Sequence, residues 1–392
     1  MTARFCKMAD IYISKSSLLR IDELDGLRGV LALWVALSHI FCWCGFALFP
    51  LAVPHLLAST VGRFWVQFSF AGGAVDTFII LSGFAISFML HARPQTYGQF
   101  MAGRFFRIYP VYLLCLLAGF ATICLMPSVL NTVGWRDNEY FNLYVRPVLD
   151  SALAHPATHL VSHLTLLFGV IPENLLPHAP FTLLAPAWSI SLEWQYYLLA
   201  PFLAWAVCRP SGLLALGIVS CGNAVYAHFW GGAFLPDKLP LFLIGIGSFH
   251  LYANAESLKS FRHRPQIFAG LIAATLILGW HWLALLIWIV VFGGVLADGN
   301  NPSEQFLLRS RHLLLQPALQ FVGKISYPLY LVHWPVIILL MAGLISWRPG
   351  ISSWTALTTM LVAGLPVILF AAWLLHKWVE KPLMQFGKRF TR

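Results

Sequence analysis

Apolar residues along this chain come in blocks of about 20 broken by short polar stretches, and a helix of that length crosses some 30 Å of hydrocarbon. The blocks fall near residues 27–49, 64–90, 108–126, 188–207, 211–229, 234–252, 266–280, 282–297, 325–345 and 354–376. A further apolar stretch, His159 to Ile171, covers only about one-half to two-thirds of a spanning length. The pattern predicts an all-α, polytopic transmembrane helical bundle of about ten spans.

Composition gives the same answer. Hydrophobic residues make up 59% of the 392 and charged residues 10%, and mean hydropathy is +0.75. A soluble domain carries roughly 45–50% apolar and about 25% charged residues. A water-soluble core cannot absorb this much apolar sequence, so the solvent for most of the chain is a lipid bilayer.

Loop charge orients the spans. The net charge of +10 sits mainly in short stretches flanking apolar blocks, which fits the positive-inside bias rather than a nucleic-acid surface. The basic stretches are the N-terminus, residues 91–107, 254–264, 309–324 and the tail. All five are cytoplasmic only if 159–171 fails to cross and 266–297 crosses twice, turning near His281. Both termini are then expected inside, in a cytoplasmic (inner) membrane.

The domain reading is an N-terminal cytoplasmic segment at 1–24, one membrane domain at 25–384 and a basic cytoplasmic tail at 385–392. Residues 1–24 carry Arg4, Lys7, Asp10 and Lys15 where a cleavable signal needs an apolar core, so the first span is expected to direct insertion. The long connection from Pro127 to Pro186 is expected outside, as a lid or a linker. Cys42, Cys44, Cys115, Cys124 and Cys221 lie within apolar blocks without metal-type spacing, and are expected to pack as small hydrophobes. No metal is expected.

Ionisable residues inside a span are costly and usually face a cavity or pathway. His39 lies about 18 Å into the first span at about 1.5 Å per residue. Arg28, eleven residues earlier, is close to three turns away on the same face. An imidazole can take the proton of an attacking hydroxyl near neutral pH, and a guanidinium holds phosphate bidentately. The alternative is a packing histidine and an interface anchor.

Further candidates follow along the chain. Asp76 in Gly72-Gly73-Ala74-Val75-Asp76 either orients a base or locks helices together, and Ser82 lies beyond it in Leu81-Ser82-Gly83-Phe84. Arg104 and Arg107, at i and i+3, share a face suited to a polyphosphate, or serve only as a topology signal. Glu193, between Trp188 and Trp194, falls near the outer end of its span by this count, to orient an acceptor or a base. Tyr327 and His333 lie in Ser326-Tyr327-Pro328-Leu329-Tyr330-Leu331-Val332-His333. Glu380-Lys381-Pro382 closes the last span, where a cap or an ion pair is expected.

Taken together these segments resemble acyltransferase family 3 of membrane proteins. Leu24-Asp25-Gly26-Leu27-Arg28-Gly29 followed by His39 is similar to that family's arginine, ten residues, then histidine. Val75-Asp76-Thr77-Phe78 with Leu81-Ser82-Gly83-Phe84, the pair Arg104 and Arg107, Trp188-Ser189-Ile190-Ser191-Leu192-Glu193, Ser326 to His333, and Glu380-Lys381-Pro382 follow in the family's order. The resemblance implies transfer of an acyl group, commonly acetyl, from cytoplasmic acyl-coenzyme A (acetyl-CoA or another) to a hydroxyl of an extracytoplasmic carbohydrate or glycolipid such as O-antigen or exopolysaccharide. It implies catalytic roles for His39, as base or transient acyl carrier, and for Glu193 and Asp76 in orienting it, donor binding by Arg28, Arg104 and Arg107, and further candidates in Ser82, Tyr327 and His333. Some members carry a fused extracytoplasmic hydrolase-like domain that completes transfer; this sequence has none, so a separate extracytoplasmic transferase is a possible partner. A transporter of a polar or acylated solute would show similar buried ionisable residues and is the competing expectation.

Overall fold

A computed structural model describes residues 21–46, 69–92, 95–132, 134–136, 140–222, 226, 229–230, 232–253, 281–297 and 302–390. The predicted span 266–280, the basic stretch 254–264 and most of the N-terminal segment lie outside the described residues. Among the described residues the chain is helical, with no strand. The longer elements are α1 (Asp22–Trp43), α2 (Gly72–Ala92), α3 (Tyr97–Thr122), α4 (Met126–Asn131), α5 (Arg146–Ala154), α6 (Pro156–Leu164), α7 (Trp188–Val207), α8 (Pro210–Cys221), α9 (Leu235–Ala253) and α10 (Trp282–Leu296). The chain continues with α11 (Pro302–Leu314), α12 (Pro317–Lys324), α13 (Ser326–Trp347), α14 (Ser353–Thr359), α15 (Leu365–Leu375) and α16 (Lys381–Gly387).

Five helical stretches are long and apolar enough to cross a membrane by length and composition: α1, α2, Tyr97–Asn131, α13 and Ser353–Phe390. The sequence count of ten is thus only partly matched. α8 and α10 are apolar but short, and α7 and α9 fall outside the set because Glu193, Gln195, Asp237 and Lys238 dilute them. Leu214, Ile218, Val362 and Phe370 stand exposed on helix surfaces, an arrangement that lipid tolerates and water penalises. The protein is a multi-pass membrane protein.

Close helix contacts set the frame. A Cβ on Gly83 of α2 would lie 2.4 Å from the Phe242 carbonyl oxygen, and one on Gly245 of α9 would lie 2.0 Å from that of Ile80. Only hydrogen fits there, so the two backbones meet directly, the close approach that small residues allow between membrane helices. α1 and α12 meet likewise at Gly29 and Gly323, and this contact seats the first turns of α1. Thr96 and Gln99 cap α3 reciprocally, each side chain accepting from the other's backbone N–H.

The connection after α4 departs from expectation. Residues 156–187, expected outside, run in among the helices. Tyr109 and Tyr112 of α3 donate to the carbonyls of Leu164 and His163 at 3.0 and 2.8 Å, and Tyr330 of α13 donates to Pro186 at 3.0 Å. Gly169 N–H bonds Ser191 Oγ at 3.0 Å. Irregular backbone can lie deep in a membrane protein where the protein itself satisfies its polar groups, and here tyrosine hydroxyls do much of it. The consequence is that α7 starts inside the bundle rather than at its outer face. The cysteines also divide: Cys42, Cys44 and Cys115 are buried as expected, whereas Cys124 and Cys221 are exposed on helix surfaces.

Candidate active site

Where α1, α2, α3, α7 and α13 converge, they enclose a cavity of about 140 Å³ that includes Arg28, Ser82, Arg104, Arg107, Glu193 and Tyr327 in its wall. Residues predicted from five separate segments are thus brought to one place. Each guanidinium is held differently. Arg28 donates to Asp25 one turn earlier at 2.8 Å and keeps 28% of its side chain exposed. Arg107 is anchored by Glu380, whose side chain is fully buried and also accepts from His376 Nδ1 at 2.6 Å. Arg104 lies 5.7 Å over the Tyr197 ring, and its buried Nε–H meets no acceptor among the described residues. Of the three, Arg104 is the cation with the most unused donor capacity.

Glu193 lies at the level of these arginines, not near the outer end of its helix bundle. The Tyr97 hydroxyl, at the start of α3, donates to the Leu198 carbonyl at 3.2 Å, so the middle of α7 lies beside the first turns of α3. The reason is the inward run of 156–187, which lowers the start of α7. One oxygen of Glu193 accepts from Ser82 at 3.2 Å and from the Tyr197 hydroxyl. Ser189, Glu193 and Tyr197 are spaced i, i+4, i+8 and all face the cavity, a helical periodicity that is present in the sequence.

His39 lies beyond the cavity. Its Nδ1 is 2.8 Å from Nε2 of His333, the two rings lie end to end in nearly one plane with centroids 5.1 Å apart and 10° between planes, and Trp334 meets His39 edge-on at 5.3 Å. Tyr330 links the two levels: it contributes to the cavity wall and its ring lies 6.3 Å from that of His333. The expected orienting carboxylates are not there. Glu193 belongs to the arginine cavity. Asp76 accepts from His281 Nδ1 at 2.6 Å and lies 3.5 Å from Lys238 Nζ, tying the starts of α2, α9 and α10 together. Lys238, one residue from Asp237 in the first turn of α9, is a partner that sequence reasoning missed; a lysine one turn into an apolar helix was its signal.

The lining is cationic with one resident carboxylate, which suits an anion. The volume falls short of the roughly 300–1,000 Å³ of a pocket that engulfs a drug-sized molecule, so a slender chain or a single anionic group fits better than a nucleotide. Tyr327 donates to the Ile108 carbonyl at 2.6 Å and holds α13 against α3 at the cavity's edge.

A family model described as an acyltransferase domain matches residues 21–377, which takes in every residue of the cavity named above. No curated protein and no solved structure matches the chain.

Proposed function

The chain belongs to acyltransferase family 3 and is a membrane acyltransferase, and from that premise we propose that it moves an acyl group, acetyl in the first instance, from cytoplasmic acyl-CoA to a hydroxyl of an extracytoplasmic carbohydrate. The observation that carries the reading is the two-level arrangement on α1. Arg28 stands in the arginine-lined cavity, and eleven residues further along the same face His39 stands at a histidine pair, about 16 Å away along the helix.

In this reading the donor's phosphates stay at the cytoplasmic mouth against Arg104 and Arg28, and the slim pantetheine arm alone enters the cavity. His39 takes the proton of the acceptor hydroxyl as its oxygen attacks the thioester carbonyl. The C–O bond forms, the C–S bond breaks, and coenzyme A leaves as thiolate to be protonated. Arg107, committed to Glu380, shapes the cavity rather than gripping phosphate. O-antigen, exopolysaccharide or another envelope glycan fits the acceptor role.

The test is mass spectrometry of envelope carbohydrates from cells with the protein, without it, and with His39→Ala. One acyl increment should be present only with the intact protein. Identical carbohydrates in all three would overturn the proposal. Solute movement in vesicles without acetyl-CoA consumption would instead favour a transporter.

A further inference from the structure

The hydrogen bonds around the histidine pair assign a proton to each ring. His333 Nδ1 lies 2.9 Å from the Leu329 carbonyl oxygen. A carbonyl only accepts, so His333 carries its proton on Nδ1, and in the neutral ring Nε2 is then a bare acceptor. That Nε2 is the atom 2.8 Å from His39 Nδ1, so His39 must donate from Nδ1. His39 is left with its lone pair on Nε2.

Neutral rings are what this environment favours. His333 is fully buried, neither ring has a carboxylate within hydrogen-bonding distance among the described residues, and an unpaired buried cation is costly. The in-line bond to His333 and the Trp334 ring, which meets His39 at 79°, fix the His39 ring plane as well.

We infer that His333 is a positioning residue for the reaction: the chain Leu329 carbonyl, His333, His39 holds His39 in the Nδ1–H tautomer and makes Nε2 the atom that takes the acceptor proton. The inference rests on the proposed role of His39 as base. When Nε2 is protonated, the Nδ1–H bond to His333 becomes charge-assisted and strengthens as the hydroxyl loses its proton. The role is that of a buried hydrogen-bond acceptor behind a catalytic imidazole, filled here by a second imidazole instead of a carboxylate.

The experiment is nitrogen-15 NMR of histidine-labelled full-length protein in lipid, with His39→Gln used to identify the His39 signals among the 14 histidines. At pH 7.5, His39 should show a protonated Nδ1 and a bare Nε2. His333→Phe keeps an aromatic ring of similar size but removes the acceptor. It should shift His39 away from the Nδ1–H form and lower acetyl-CoA-dependent acetylation of envelope carbohydrate by about 10² or more, within the usual contribution of a general base. His333→Gln restores an acceptor oxygen and should recover at least about tenfold over the Phe variant.

A His39 that carries its proton on Nε2, or on both nitrogens, in the unmodified protein overturns the inference whether or not either variant folds. So does a His333→Phe protein with unchanged tautomer and rate. The predicted tautomer in a protein whose His39→Ala variant still acetylates would leave the proton assignment standing and sink the role of His39 as base.

Discussion

Replacing Arg107 and Glu380 singly and together separates the arginine that shapes the cavity from those free to bind. The Glu380 side chain is fully buried and that of Arg107 is 31% exposed, so the two single changes strand charges in unequal surroundings. Arg107→Leu leaves a buried carboxylate with only His376 as partner; breaking a buried pair costs about 3–5 kcal/mol, and His376 offsets part of this, so about 3 kcal/mol is expected. Glu380→Leu strands a guanidinium with nearly a third of its side chain exposed to the cavity, so its loss lies between the buried case and the roughly 0–1 kcal/mol of a surface pair, about 1–2 kcal/mol. The double variant removes both charges and should be no worse than Arg107→Leu alone. The cycle therefore predicts a coupling of at least about 1 kcal/mol, inside the range for residues in contact. Reversible denaturant unfolding in detergent, followed by tryptophan fluorescence, measures all four proteins. A coupling below about 0.5 kcal/mol, or a greater loss for Glu380→Leu than for Arg107→Leu, would refute the reasoning.

Arg104→Ala should raise the KM for acetyl-CoA about tenfold or more, as expected for loss of a charge-assisted contact, with unfolding unchanged within about 0.5 kcal/mol; a stability loss without a KM change would make Arg104 structural. His39→Ala should reduce acylation to background while the protein remains monodisperse by size exclusion, and wild-type acylation would contradict its role as base. Gly245→Leu puts side-chain atoms where even a Cβ falls 2.0 Å from the Ile80 carbonyl oxygen, so it should destabilise by about 1–3 kcal/mol or prevent folding; wild-type thermal stability would show that α2 and α9 are not so tightly joined. Burial pushes the His163 pKa down to about 3, so below the unfolded value of about 6.5 an opened segment takes up a proton that the closed one refuses. Stability is full above that value and falls as the pH drops towards 3. Opening of 156–187, read by limited proteolysis, should rise about tenfold or more from pH 7.5 to 5.5; burial lowers the His159 pKa in the same direction, so His163→Phe should reduce the rise by about tenfold.

The residues of the cavity were legible in the sequence, but their partnerships were not. Arg28, Ser82, Arg104, Arg107, Glu193 and Tyr327 stand out because a polar or aromatic group in an apolar helix needs a reason, and five helices converge to supply it. Periodicity fixes which side of one helix a residue faces. It says nothing of which neighbour comes to meet that side, so Asp76 and Glu193 were expected beside His39, and each has other partners: Lys238 and His281 for Asp76, Ser82 and Tyr197 for Glu193. Glu380 is the converse case, expected at an ion pair and found in one, because a carboxylate at the end of an apolar helix has few other solutions.

Five of the ten expected spans are matched by long apolar helices among the described residues, and the inward run after α4 is what counting apolar blocks leaves out. Counting apolar blocks assumes that each stretch either crosses or stays out, whereas residues 156–187 bond to the sides of α3, α7 and α13. Beyond α6 their backbone is irregular, with Leu166, His178 and Leu183 all at positive φ, and such backbone is excluded from lipid only while its carbonyls lack donors. Tyr109, Tyr112 and Tyr330 supply those donors from helices far apart in sequence, so no local pattern announces the inward run. Its consequence reaches the chemistry. A start of α7 at the outer face would place Glu193 near the histidines, whereas a start deep in the bundle places Ser189, Glu193 and Tyr197 along the arginine cavity and leaves His39 to be oriented by His333. The division of the site into an ionic lower level and an uncharged histidine level therefore follows from three tyrosine hydroxyls that hold one connection in place.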